Sequence, residues 1–237
     1  MIKQNVKKTF ELIADRFDRV RKVPWHDLVK FINDTHFISD ENLGFVLDLG
    51  CGNGRHGNYI WNNKPDDRTL FIVGIDISLN LLKIARKSNK YIHFINADAN
   101  FLPLKSKCFN KILFIAAIHH IPSYKARKDS LLEIKRILLN NGSLLISVWM
   151  LWQKRFYKYF LNDLEIKNYN KWDGEFGDIF VPWHDENKNV IAKRFYHLFS
   201  IDEFKMLVNN ASFDICQFKI GGTKTEKSTI FAILKSV

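Results

Sequence analysis

An α/β fold built on a seven-stranded, doubly wound sheet is what this chain of 237 residues predicts, and three observations predict it. First, apolar runs of strand length alternate with helical patterns, at 45–49, 70–75, 91–95, 111–117, 143–149, 213–219 and 229–235. Second, the first run closes on Asp48-Leu49-Gly50-Cys51-Gly52-Asn53-Gly54, with a glycine at every second position. Residues without Cβ tolerate positive φ and leave no side chain in the way, so this reads as a tight strand-to-helix turn that lets backbone approach a bound molecule. Third, the next two runs also lead to carboxylates, Asp76 and Asp98. Strand, glycine turn and helix in this order open a Rossmann-like domain, although G-x-G-x-G differs from the G-x-G-x-x-G that seats a pyrophosphate. An acid at the tip of the second strand can accept both ribose hydroxyls of an adenosine, and Asp98 is placed to take the exocyclic amine of adenine.

The remaining elements follow from periodicity and caps. Residues 5–18 carry Val6, Phe10, Ile13 and Phe17 on one helical stripe, with Lys3, Lys7, Lys8, Arg16 and Arg19 mostly off it. The stretch from Arg16 to Lys22 is expected to line the mouth of the cofactor site. Pro24 interrupts the pattern, and residues 25–37 predict a second helix with Trp25, Leu28, Val29 and Ile32 on one face. Together residues 1–40 read as an N-terminal helical cap on one domain spanning 1–237. Helices are predicted at 55–61, at 78–88 with Ser78 as N-cap, at 125–139 ended by Asn140-Asn141-Gly142, and at 201–210 behind a Ser200/Glu203 capping box. His119 and His120 stand at the end of the fourth strand. Gly221-Gly222 is read as the loop joining the last two strands.

Composition bounds the function. Apolar residues make up 46% of the chain, enough for a sizeable core, and no run approaches the roughly 20 apolar residues of a membrane span. The N-terminus lacks a secretory h-region, and Cys51, Cys108 and Cys216 are too scattered for a disulfide framework or a zinc signature, so a reducing, cytoplasmic location is expected, with the nucleus as the other option. No metal site is assigned. A net charge of +11 favours a polyanionic partner such as nucleic acid. Residues 150–199 form an unusually long connection, rich in aromatic and basic side chains (Trp152, Lys154, Arg155, Phe156, Tyr157, Lys158, Tyr159, Phe160, Trp172), and read as an insertion on the substrate side.

The motifs "VLDLGCGNG", "VGIDIS", "NADANFLPLKSKCFNKILFIAAIHHI" and "LLNNGSLLISVW" resemble the successive motifs of class I S-adenosylmethionine-dependent methyltransferases over about residues 45–150. That resemblance implies a glycine loop (Gly50, Gly52, Gly54) for the methionine moiety, Asp76 for the ribose, and Asp98 with Ala99 for the adenine. Asp48, Asn53, Ile77 and Ile115 complete the candidate cofactor-binding set, Asp48 as a residue that orients the loop. Over nearly the whole chain, "FELIADRFDRVRKVPW", "AAIHHI", "VWMLWQ", "DIFVPWH" and "RFYHLF" resemble the wobble-uridine tRNA carboxymethyl methyltransferases in their stand-alone form. The resemblance implies methyl transfer to the carboxylate of 5-carboxymethyluridine in tRNA, and a small zinc-binding activator subunit covering an apolar sheet edge. Phe71–Val73 and Tyr91–Ile95 are the candidate edge strands. The alternative reading is methyl transfer to a small metabolite.

A carboxylate acceptor is already ionised at neutral pH, so no general base is needed. What the protein must supply is alignment, dryness and a cation that orients the acceptor. The candidates are Arg21 and Arg194 as cations, His119 at the end of strand four, and Tyr196 and His197 as wall and donor groups. Trp149 and Trp183 are candidate stacking surfaces for a base, and His120 reads as structural.

Overall fold

The computed structural model describes residues 2–38, 43–65, 69–157, 174–222 and 227–237. The elements are α1 (Ile2–Val20), α2 (His26–Asp34), β1 (Phe45–Leu49), α3 (Arg55–Asn62), β2 (Phe71–Asp76), α4 (Leu79–Ser88), β3 (Ile92–Asn96), β4 (Phe109–Ile115), a 3₁₀ turn (Ile118–His120), α5 (Tyr124–Ile137), β5 (Leu138–Trp149), β6 (Asp178–His184), β7 (Val190–His197), α6 (Ile201–Asn210), β8 (Phe213–Gly222) and β9 (Lys227–Ser236). The predicted seven-stranded sheet forms in the order β3-β2-β1-β4-β5-β9-β8. Its first five strands are parallel, and β9 and β8 run antiparallel. Strand order reverses between β1 and β4, so their carboxyl ends splay and open a crevice.

Both faces of the sheet are covered. One core layer packs Leu131, Ile134, Phe204 and Leu207 of α5 and α6 on the sheet, and the other packs Leu28, Phe31, Ile60, Leu82 and Ala85 of α2, α3 and α4. Among the described residues β6 and β7 pair only with each other, as an antiparallel hairpin that packs on an apolar cluster of Trp149, Phe156, Ile179, Tyr196 and Leu198. Backbone bonds tie that hairpin to the end of β5: Phe199 N–H donates to Trp149 O at 2.9 Å, and Leu151 N–H donates to Phe199 O at 2.9 Å. The two conspicuous late segments of the insertion are thereby brought to the carboxyl edge of the sheet. Lys158, Tyr159, Phe160 and Trp172 lie outside the described residues.

Several boundaries differ from the sequence reading. Asn140-Asn141-Gly142 does not cap α5; the helix stops at Ile137 and these residues lie within β5, whose residue Leu138 already pairs with Phe109. Pairing of β4 with Leu138 on one side and Ser143 on the other carries β5 across this Asn-Gly stretch as a register irregularity. β4 ends at Ile115 because Ala116 turns left-handed, with φ 51°. Gly221-Gly222 is the end of β8 rather than a loop. Phe71–Val73 is not an edge: β2 is paired on both sides, and β3 alone closes that side of the sheet. α4 is capped from a distance. Besides Ser78, Glu11 of α1 accepts the N–H groups of Leu79 and Asn80, each at 2.8 Å, which locks α1 beside the crevice.

Candidate active site

A cleft open to solvent lies at the carboxyl ends of β1, β2 and β4. The glycine turn forms its floor. Gly50 has φ +67°, and a Cβ there meets the Ala117 Cβ at 2.4 Å; Gly54 has φ +79° and starts α3. Only glycine satisfies both positions without strain. Gly52 N–H donates to Asp76 Oδ2 and Ser78 N–H to Asp76 Oδ1, both at 2.8 Å. These bonds fix the Asp76 carboxylate at the tip of β2 while leaving each oxygen a further lone pair. Burial pushes the Asp76 pKa up to about 6 against the pull of the two backbone donors. Ile77, Asp98, Ala99 and Ile115 also line the cleft. Asp98 pairs with Lys3 Nζ at 2.6 Å, so the start of α1 closes that end.

Three expected cofactor residues sit behind the wall rather than on it. Asp48 Oδ2 accepts Gly57 N–H at 2.9 Å, which orients the turn from below; burial drives its pKa up to about 7. The Asn53 amide donates to Asp18 Oδ1 and Arg21 O, each at 2.8 Å, and so pins the α1–α2 connection to the turn instead of facing the cleft. Gly54 faces Asn89 and Phe94.

The opposite wall comes from the 3₁₀ turn, β5 and β7. His119, Trp149, Arg194 and Tyr196 line it, and so does His120, which the sequence reading left structural. Tyr196 stacks on Trp149 with centroids 4.7 Å apart and lies 4.5 Å from His120. His120 Nδ1–H donates to Phe195 O at 2.8 Å, and Trp149 N–H reaches His119 Nδ1 at a long 3.4 Å. That assigns His119 the Nε2–H tautomer, and Nε2 has no partner among the described residues. Burial holds the His119 pKa well below its ordinary value and brings that of His120 to about 3, so both rings are neutral at physiological pH. Trp183 is not a wall residue; its ring backs the Arg194 guanidinium at 4.4 Å. His197 is not a wall residue either. Its ring is fully buried, with Nδ1 2.7 Å from Asp178 Oδ1 and Nε2 2.7 Å from Glu203 Oε1.

Arg55 is the residue that sequence reading missed. It is 8% exposed, lines the cleft next to the glycine turn, and lies 5.7 Å from the ring centroids of both Phe17 and Trp25. Its Nε donates to His56 Nε2 at 3.1 Å, and its Nη1 has no partner among the described residues. Burial, and then the nearby Arg21, lower its pKa to about 10. A buried guanidinium beside a second cation is a place for an anion. The signal in the sequence was a basic residue directly after the last glycine.

These features fit S-adenosylmethionine: carboxylates for a ribose and an adenine, a backbone cradle, and the buried Arg55 guanidinium for a carboxylate tail. Residues 47–146 match the family model described as a methyltransferase domain. The matched domain, the fold and the site are those of an S-adenosylmethionine-dependent methyltransferase. The chain is similar to the tRNA (carboxymethyluridine(34)-5-O)-methyltransferase of Schizosaccharomyces pombe, 28% identical over 90% of this chain and 90% of that protein. It is 29% identical to the enzyme of the same description from Xenopus tropicalis over 89% of this chain, but that match spans 38% of the longer protein. Among solved structures, a SAM-dependent methyltransferase from Methanosarcina mazei superposes with a TM-score of 0.71 at 18% identity, covering 91% of this chain and 99% of that one. Among the described residues no helix is long and apolar enough to cross a membrane.

Proposed function

We propose that this methyltransferase esterifies the carboxylate of 5-carboxymethyluridine at the wobble position of tRNA. The observation that carries the reading is the convergence of Arg194 and Tyr196 from β7 with His119 and Trp149 on one wall facing the glycine turn. These are the segments whose motifs resemble the tRNA enzymes, and they are joined by backbone bonds between Phe199, just after β7, and Trp149 and Leu151 at the end of β5, rather than by sequence proximity.

S-adenosylmethionine supplies an electrophilic sulfonium methyl when bound. Asp76 would hold the ribose, Asp98 and Ala99 the adenine, and Arg55 the α-carboxylate; Arg21, expected as a cation for the acceptor, neighbours Arg55 in the same cleft. On the acceptor side, Arg194 orients the carboxylate and His119 Nε2–H donates to it. Trp149 and Tyr196, stacked on each other, form the aromatic side of the acceptor wall. Neither histidine accepts a proton, because the acceptor arrives ionised and both imidazoles stay neutral. Alignment of this kind supplies roughly 7–11 kcal/mol of a barrier.

The reading includes a small zinc-binding activator subunit along the open β3 edge, where Tyr91, 64% exposed, stacks on Trp61. Full solubility and activity of the single purified chain count against that subunit. The deciding experiment incubates the protein, with and without such a partner, with S-adenosylmethionine and tRNA lacking the ester, followed by mass analysis of wobble nucleosides. Appearance of the methyl ester supports the reading. Absence of ester together with salt-insensitive methylation of a metabolite supports the alternative.

A further inference from the structure

We propose that His197 is a positioning residue whose protonated ring pins an ionic junction that sets the acceptor wall, and that its deprotonation loosens the wall. The proposal rests on the reading of Arg194, Tyr196 and His119 as that wall. Its starting point is geometric. His197 lies between two carboxylates from different elements, Asp178 of β6 and Glu203 of α6, each 2.7 Å from one ring nitrogen. Ionised carboxylates only accept hydrogen bonds, so both ring nitrogens must donate, which only the imidazolium can do.

The junction extends further. Arg127 of α5, fully buried, donates to Glu175 and, through Nη1, to Ile121 O at 3.1 Å, the residue that closes the 3₁₀ turn bearing His119 and His120. The same guanidinium is 3.9 Å from Glu203. Glu175 also accepts the first N–H of α5 from Tyr124, and its own N–H donates to Asp178 Oδ2 at 2.8 Å. Both carriers of the acceptor wall therefore hang on one set of charges. His197 directly follows Tyr196 on β7, and Arg127 holds the end of the 3₁₀ turn.

The groups facing His197 are Glu175 ahead of β6, Asp178 on β6, Glu203 on α6, Arg127 on α5, and neutral His119 on the 3₁₀ turn, with the Phe199 ring at 4.7 Å. Protonated, the ring and Arg127 face three carboxylates. Neutral, Arg127 alone faces them, and one ring nitrogen turns a lone pair toward an oxygen. Burial lowers the His197 pKa, but the bonds to Asp178 and Glu203 outweigh it and the net shift is upward. A folded-state value above the ordinary one means that the stabilisation is complete at pH below the ordinary histidine value and is lost as pH rises through the folded value. The ligand-type atoms of Glu175, Asp178 and His197 lie within 4.8 Å of one another, but Arg127 already supplies the cation that a metal ion would have to displace.

The test is a titration of the His197 ring by ¹⁵N NMR, with thermal unfolding and acceptor kinetics followed in parallel between about pH 6 and 9. Expected are two protonated ring nitrogens at neutral pH, and a melting temperature and acceptor kcat/KM that fall together on the alkaline side. Glu203→Gln keeps an acceptor oxygen but removes a charge, and is expected to move that fall to lower pH. His197→Gln is expected to lose acceptor kcat/KM by about tenfold to a hundredfold with donor affinity unchanged, and to lose the alkaline step in stability. A neutral ring throughout, an unshifted Glu203→Gln profile, or stoichiometric zinc binding abolished by Asp178→Ala overturns the proposal. If the wild-type protein methylates no wobble uridine, the proposed function fails, and the NMR and stability results still decide the junction.

Discussion

The Arg194 guanidinium carbon lies 4.4 Å over the Trp183 ring and 5.2 Å from the ring centroid of Tyr196, so a cation is held between two aromatic faces at the cleft wall. A planar guanidinium stacks on aromatic faces in this way, and an ammonium on a flexible stem does not. Arg194→Ala is expected to lower acceptor kcat/KM by about a hundredfold, and Arg194→Lys to recover little of it. Donor affinity, measured by calorimetry, is expected to be unchanged in both.

Arg55 separates the two ends of the cleft. If it holds the donor's carboxylate, Arg55→Met weakens S-adenosylmethionine binding by about 1.5–3 kcal/mol, the value of a hydrogen bond to a charged group. Binding of decarboxylated S-adenosylmethionine is then nearly the same in variant and wild type. Equal weakening of both ligands rules the assignment out.

Asp48 gives a pH dependence of the same sign as that of His197, over a more acidic range. Its folded pKa, raised by burial to about 7, lies above the ordinary 3.8, so the folded state binds the proton more tightly. This contribution to stability is greatest at acidic pH and declines as pH rises from the ordinary value toward 7. Asp48→Asn keeps an acceptor for Gly57 N–H and removes the buried charge. The variant is expected to be more stable than wild type at pH 8, by about 1–3 kcal/mol, with a flatter pH profile in urea unfolding.

Arg127 tests the junction through stability. Its side chain is wholly buried and donates to Glu175 and Ile121 O. Arg127→Met leaves the facing carboxylates without that cation and is expected to cost about 3 kcal/mol in chemical denaturation. The double variant Arg127→Met/Glu175→Met is expected to recover part of that loss, because it removes an uncompensated charge as well.

The sequence by itself determined the sheet and the donor side. Apolar runs of strand length, the spaced glycines of 50–54 and the carboxylates at Asp76 and Asp98 are local signals, and each strand end carries its own chemistry to the crevice. The helix caps at Ser78 and Ser200 were legible for the same reason. Tertiary structure decided the rest. Asn140-Asn141-Gly142 became an irregular stretch inside β5, because β4 pairs with Leu138 before it and with Ser143 after it. Asn53 and His197, polar residues inside motifs, turned to partners on other elements, Asp18 and Asp178 among them. Arg55 became a cleft residue only when Phe17 and Trp25 closed around it. Periodicity and caps report the few neighbours a residue has along the chain. The direction of a buried charge is set by whichever counter-charge or cavity the fold brings to it, and no spacing along the chain encodes that.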